Sequence, residues 1–204
     1  MAYPNFIIRS ITAYRNFKHR PHKKWMMGRL RDCKTVVVTG CQRSGTTSIA
    51  KMIAHDLQFT HKDEHEFNTH DYNHFVKLSK EHAPLVIHCP ALSHCILDMV
   101  NDLPMAHIIW ISRPFHEIRK SMERIGWNKK EEQVEKDKYA ELMPCGQEPI
   151  EIIKTRYWKE QQAPCLAQAQ HTELAYHSPY VQWHPLFVSS KYRINFSSKK
   201  TNLS

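Results

Sequence analysis

The sequence predicts an α/β fold, a three-layer sandwich in which a mainly parallel central sheet is flanked by helices. Short apolar, β-branched runs alternate along the chain with longer segments that have helical periodicity. The first apolar run ends in a glycine-bearing turn that opens directly into one of these helical segments. With 204 residues, the chain is long enough to build one such domain around a proper core.

The first strand, predicted at Thr35–Thr39, leads into a loop that matches most of the phosphate-binding pattern G-x-x-x-x-G-K-[ST]. Gly40 and Gly45 occupy the glycine positions and Thr47 the hydroxyl position, but Thr46 stands where the lysine belongs. Backbone N–H groups of such a turn and of the helix that follows bind an anion without any particular side chain. We therefore expect a P-loop-type fold with an anion site at this loop.

The remaining elements follow from the same periodicities and from proline and glycine punctuation. The polar segment 60–67 is predicted to be a loop. Further strands are expected at Pro84–His88, Ala106–Ser112 and Thr172–Tyr176, and helices at Thr46–Leu57, Asp71–Glu81, Leu92–Val100, Pro114–Ile125, Asn128–Leu142 and Glu148–Gln162.

The missing lysine changes the chemistry that the loop supports. Neither of the next two strands ends in an aspartate that would help to hold Mg²⁺, because one ends in His88 and the other leads into Arg113. A sulfuryl group carries about one negative charge where a terminal phosphate carries about two, so hydrogen bonds and one or two cations suffice for its transfer. Arg43, inside the loop, supplies such a cation.

The run Arg43–Thr47, R-S-G-T-T after a strand, resembles the phosphosulfate loop of PAPS-dependent sulfotransferases, where PAPS is 3′-phosphoadenosine-5′-phosphosulfate. A second motif also resembles this family, in which an arginine at a strand end and a serine two turns into the next helix hold the 3′-phosphate. Arg113 and Ser121 occupy these two positions here. The resemblance implies a PAPS site formed by Gly40, Arg43, Ser44, Gly45, Thr46, Thr47, Ser48, Arg113 and Ser121, with adenosine 3′,5′-bisphosphate as product.

Candidate catalytic residues are Arg43, His88, Glu64 and Glu66. Family members often have K-x-P at the end of the second strand, and His88-Cys89-Pro90 resembles that element with histidine in place of lysine. His88 is then the base, a protonated stabiliser of the leaving oxygen, or an ordinary strand-end histidine. Some carbohydrate sulfotransferases use a glutamate soon after the first helix, which implies Glu64 or Glu66 as the base, although acidic loops are usually only solvated.

The chain has fifteen histidines, and two pairs, His61 with His65 and His70 with His74, have the i,i+4 spacing of metal ligands. No H-E-x-x-H motif is present, and sulfuryl transfer requires no metal. We therefore expect no metal site.

The chain has a net charge of +9, which favours anionic partners. Its basic residues are dispersed apart from the two ends, so a nucleotide cofactor accounts for the charge as well as nucleic acid does, and nucleic acid is not the expected partner. We expect a basic leader at 1–33, a sulfotransferase-like P-loop domain at 34–190 and a basic tail at 191–204. The six cysteines form no C-x-x-C pair, which is typical of reduced thiols and a cytoplasmic protein, and no apolar run predicts a membrane partner.

The sequence favours a sulfotransferase acting on a hydroxyl or amine of a carbohydrate-like or small-molecule acceptor. Two alternatives stay open at this stage. One is a P-loop kinase of a nucleoside or metabolite, which Thr46 opposes. The other is a non-catalytic anion-binding or nucleic-acid-binding protein that retains the loop as a scaffold.

Overall fold

The structure is a computed structural model that describes residues 5–66, 71–125, 159–160, 162–168 and 170–187. A single sheet of five strands forms its centre, with the order β2-β3-β1-β4-β5, and every neighbouring pair is parallel. The predicted fold class is confirmed. The strands are β1 (Thr35–Gly40), β2 (Thr60–Lys62), β3 (Leu85–His88), β4 (Ala106–Ser112) and β5 (His171–Ala175).

Helices cover both faces of this sheet. Residues 162–168 are also helical, and 3₁₀ turns lie at Glu64–Glu66 and Pro90–Cys95. The labelled helices are α1 (Asn5–Arg29), α2 (Thr46–Leu57), α3 (Tyr72–Glu81), α4 (Ile96–Asp102), α5 (Phe115–Arg124) and α6 (Pro179–Trp183).

Alternating side chains of the central strand β1 enter two separate cores. Val37 packs on one side of the sheet with residues of α3, α4 and α5, such as Phe75. Val36 and Val38 point to the opposite side, where they pack with Ile53 of α2 and with residues of α1 and α6. Because both faces of the sheet are covered, the successive residues Val36, Val37 and Val38 are all apolar.

Most predicted elements are confirmed within a residue or two at each end. One prediction was wrong, since Thr60–Lys62 in the predicted loop forms β2. Among the described strands it pairs only with β3 and lies at the sheet edge, where polar side chains are tolerated, so it carries no apolar pattern. The predicted helix at Leu92–Val100 begins instead as a 3₁₀ turn and becomes α-helical at Ile96. The predicted helices at Asn128–Leu142 and Glu148–Gln162 fall outside the described residues except at 159–160 and 162, which are helical.

The basic N-terminal segment forms the long helix α1 and packs on the sheet. Met26 and Leu30 at its C-terminal end are buried in the core that α2 and α6 also cover. The domain boundary at residue 33 stays a prediction, and the tail 191–204 lies outside the described residues. Within the described residues, no helix has both the length and the apolar character that crossing a bilayer requires.

A buried carboxylate joins three segments of this face. Asp56 of α2 accepts hydrogen bonds from His19 of α1 at 2.8 Å and from the Tyr180 hydroxyl of α6 at 3.1 Å. Lys23 Nζ lies 3.1 Å from its second oxygen, Oδ1, and His184 Nε2 lies 3.5 Å from the same oxygen. Burial alone would raise the pKa of Asp56, but the interactions with His184, His19 and Lys23 outweigh it and hold that pKa well below its ordinary value.

Candidate anion-binding site

The loop between β1 and α2 requires glycine at two positions, because a side chain at either one would collide with a neighbouring residue. Gly40 has a φ of +139°, and a Cβ there would lie 2.6 Å from the carbonyl oxygen of Ile111 on β4. Gly45 has a φ of +99°, and a Cβ there would lie 2.5 Å from the ring of Tyr176. Both positions combine a left-handed backbone with a close neighbour, so no other residue fits without displacement.

Gly45→Ala is expected to lower the free energy of unfolding by about 1–3 kcal/mol, because the methyl group displaces Tyr176 and strains the backbone. Gly28→Ala is the matched control, since Gly28 lies in α1 and a Cβ there meets nothing within 4 Å. That change should stabilise the protein by up to about 1 kcal/mol through helix propensity. Urea unfolding of both variants measures the two effects, and equal effects would contradict the steric argument.

Arg43 links the loop to helix α5. Its backbone is left-handed, with a φ of 66°, and its guanidinium donates to Ser121 Oγ from Nε at 3.3 Å and from Nη2 at 3.2 Å. Ser44, next in the loop, is fully buried, and its hydroxyl has no hydrogen-bond partner among the described residues. Thr46, in the place of the lysine, is also buried at the start of α2.

Arg113 reaches the same loop from the end of β4. Its Nη1 donates to the carbonyl oxygen of Arg43 at 3.1 Å, and its Nε donates to Glu117 at 3.0 Å. The guanidinium lies over the Tyr176 ring, 4.1 Å from the centroid. Glu117 also accepts from His177 Nε2 at 2.7 Å. The two sequence motifs, 70 residues apart at Arg43 and Arg113, therefore meet at one place.

The loop end of the sheet carries concentrated positive charge. Burial, followed by the charges of Arg124 and Arg113, lowers the pKa of the Arg43 guanidinium. Glu117 balances part of this charge through Arg113. Helix α2 adds the positive end of its dipole, and its N-cap residue Gly45 has no side chain that could occupy the free backbone N–H groups. A phosphate or sulfate at this point would meet backbone donors and arginine side chains together.

His88, at the end of β3, and Glu64, in the 3₁₀ turn after β2, lie beside the loop. His88 Nε2 is 3.1 Å from Thr47 Oγ1 and 4.0 Å from Glu64 Oε1, while its Nδ1 is 4.0 Å from Asp63. Burial is the main cause that lowers the pKa of His88 to about 4, so the ring is neutral near pH 7. Burial, and then the charge of Asp63, raises the pKa of Glu64.

Two predicted residues lie apart from this cluster. Glu66 is paired with Lys62 and accepts from the Asp63 backbone N–H at 3.0 Å, so it closes its own 3₁₀ turn on the surface. Ser48 is exposed on the first turn of α2.

Sequence reasoning assigned no role to Glu117 or Tyr176. The i,i+4 spacing of Arg113 and Glu117 was visible in the second motif and indicates an ion pair on a helix. Nothing in the sequence indicated that Tyr176, at the end of β5, would lie between Gly45 and Arg113.

The buried group around Asp56 has three side chains that a metal ion could use. One ligand atom from each of His19, Asp56 and His184 lies within 4.8 Å of the others. However, His184 Nδ1 accepts the backbone N–H of Leu186 at 3.1 Å, which leaves the ring proton on the Nε2 that faces Asp56. Lys23 already supplies a cation to this carboxylate. The arrangement favours an ion-pair cluster over a metal centre.

No protein-family model matches this chain, and no curated protein matches it. Among solved structures, the chain is similar to shikimate kinase from Bacteroides thetaiotaomicron, with 15% sequence identity and a TM-score of 0.42. The match covers 74% of this chain and 91% of the kinase chain.

Proposed function

We propose that this protein transfers the sulfuryl group of PAPS to a hydroxyl or amine of a carbohydrate-like or small-molecule acceptor. The observation that carries the proposal is the meeting of the two anion motifs. Arg113 donates to the backbone of Arg43, and Arg43 donates to Ser121, which belongs to the second motif. A nucleotide with phosphate groups at both its 3′ and 5′ positions is the kind of ligand that two adjacent cationic sites would hold.

Each part of the cofactor has a candidate partner. The backbone donors of the loop 40–47 and the Arg43 guanidinium would hold the 5′-phosphosulfate. Arg113 and Ser121 would hold the 3′-phosphate, with Glu117 and Tyr176 keeping the Arg113 side chain in position. The absence of a lysine at Thr46 agrees with a transferred group of low charge.

The reaction needs a base at the acceptor, and Glu64 suits this role because its raised pKa makes it a stronger base than an exposed carboxylate. Glu64 would take the proton of the acceptor as the acceptor oxygen or nitrogen attacks sulfur. The bond between sulfur and the bridging oxygen breaks, and its electron pair leaves with adenosine 3′,5′-bisphosphate. Arg43 would stabilise the charge that develops on this leaving group. His88 is neutral near pH 7, so it would orient Thr47 and Glu64 rather than supply a cation.

A P-loop kinase is the second candidate, and one observation favours it. Asp63 and Glu64 bring two carboxylates to within 4.0 Å of His88, next to the Thr47 hydroxyl. Carboxylate and hydroxyl oxygens are the ligands that Mg²⁺ prefers, and a kinase would use Mg²⁺ with ATP. The missing lysine opposes this alternative.

Calorimetric titration distinguishes the two candidates. We expect adenosine 3′,5′-bisphosphate to bind with a dissociation constant on the order of micromolar in the presence of EDTA. ATP with Mg²⁺ should bind more weakly. The reverse order would favour the kinase, and binding of neither nucleotide would refute both assignments. Tight binding without sulfuryl transfer to any acceptor would identify a non-catalytic nucleotide-binding protein.

A further inference from the structure

We propose that the outer face of helix α1 lies on an anionic lipid surface. We define this face by its four exposed apolar residues Ile11, Tyr14, Phe17 and Trp25. The inference is independent of the proposed function and concerns a part of the molecule away from the anion-binding loop.

The outer face is not needed for the core. Helix α1 already buries His19 and Met26 on its inner face, against α2 and α6, and Leu30 is buried directly after the helix. On the opposite side, within the described part of the chain, Phe17 is 71% exposed. Tyr14 is 54% exposed, and one edge of the contact between its ring and that of Trp183 of α6, with centroids 5.9 Å apart, borders the face. Isolated exposed apolar residues are normal, but an aligned set on one helix indicates an interaction surface.

The exposed aromatic residues form a ridge. At 3.6 residues per turn, Tyr14, Phe17 and Trp25 fall within about 80° of the helix circumference. Trp25 is 45% exposed, and Ile11, at the N-terminal end of the same side, is 39% exposed. Tryptophan and tyrosine have an apolar ring with a polar edge, which suits them to the boundary between lipid headgroups and acyl chains.

Basic residues border this ridge on both sides. Lys18 and Arg29 lie along one side, where they also contact ridge rings: the Lys18 amine is 5.7 Å from the Tyr14 centroid and the Arg29 guanidinium 4.8 Å from that of Trp25. Exposed Arg20 and Lys24 lie along the other side. No acidic residue occurs before Asp32, so every charged residue that α1 places beside the apolar face is basic.

This pattern fits a lipid surface better than a nucleic acid. A helix that lies in the plane of a membrane places an apolar ridge at the acyl boundary and its flanking cations at the anionic headgroups. A helix that reads the major groove of a duplex presents polar side chains to base edges, and the ridge of Tyr14, Phe17 and Trp25 would have no such partner there. The sequence predicted no membrane partner because it has no long apolar run. A helix that lies on the lipid surface needs no such run.

Sedimentation of the full chain with lipid vesicles tests the proposal. We expect binding to vesicles of phosphatidylcholine mixed with phosphatidylserine, and binding weaker by about tenfold or more to phosphatidylcholine alone. Phe17→Ser removes the most exposed of the four apolar residues of this face, and Lys24→Glu reverses one flanking charge. Each change should weaken binding to the mixed vesicles several-fold, about tenfold for the charge reversal.

Two variants elsewhere on the surface are matched controls. Leu97→Ser removes a 52% exposed apolar residue of α4, and Lys77→Glu reverses an exposed charge of α3. Neither should change vesicle binding, and thermal unfolding should show all four variants folded. Equal losses in the α1 variants and the controls would overturn the proposal. So would tighter binding to a DNA duplex than to the mixed vesicles, with Phe17→Ser having no effect on either.

Discussion

Arg113→Ala is expected to weaken the binding of adenosine 3′,5′-bisphosphate tenfold or more, equivalent to about 1.4 kcal/mol or above. Arg113 lies at the end of β4 and is held by the Arg43 carbonyl, Glu117 and the Tyr176 ring. Such a side chain is ordered before the ligand arrives, so little entropy is lost when it binds a phosphate. Arg43→Ala should have an effect of the same size. Calorimetric titration of each purified variant measures the change.

Arg119→Ala is the matched control for Arg113. Both arginines pair with a glutamate four residues later, at 3.0 Å for Arg113 and 3.1 Å for Arg119. The Arg119 side chain is 63% exposed on the surface of α5, whereas that of Arg113 is 17% exposed. Removal of Arg119 should leave nucleotide affinity unchanged. Unchanged affinity in both Arg43→Ala and Arg113→Ala would show that the nucleotide does not bind at this site.

Asp56→Ala is expected to lower the free energy of unfolding by about 3 kcal/mol or more. The change leaves the Tyr180 hydroxyl and the His19 ring without their buried acceptor and removes the partner of the Lys23 ammonium. Because Asp56 links α1 and α2 to α6, the loss of its carboxylate should loosen the docking of α1 as well. Urea unfolding measures the free energy, and faster amide exchange in α1 would report the loosened docking.

The exposed Asp98 of α4 is the control, and its replacement by alanine should change stability by no more than about 0.5 kcal/mol.

The pH dependence of stability gives a second check on the role of Asp56. A carboxylate with a depressed pKa in the folded state stabilises the fold above its unfolded pKa, near 3.8, and this contribution is lost as the pH falls below that value. The difference between wild type and Asp56→Ala should therefore be constant near neutral pH and shrink below about pH 4. A difference independent of pH down to acid unfolding would contradict the role of the charge.

Sequence patterns were enough to predict the fold class, four of the five described strands, helices α2, α3 and α5, and most of α4. Apolar runs such as Val36–Val38 are buried on both sheet faces, so their hydrophobic pattern is complete and local. The edge strand β2 was not predicted, because it contributes few side chains to the core and is defined by its pairing with β3, which lies far away in the sequence. The anion-binding loop was recognisable because its glycines and hydroxyl residues form one continuous run.

Which distant residues meet depends on how the elements pack together. Parallel strands bring their carboxyl ends to one edge of the sheet, and this places Arg113, from the end of β4, against the backbone of Arg43. The same geometry sets Tyr176, from the end of β5, beneath Arg113 and against Gly45. The packing of α1, α2 and α6 on one face of the sheet likewise brings together His19, Asp56 and His184. No local pattern specifies these contacts, because each depends on the packing of elements that are far apart in the chain.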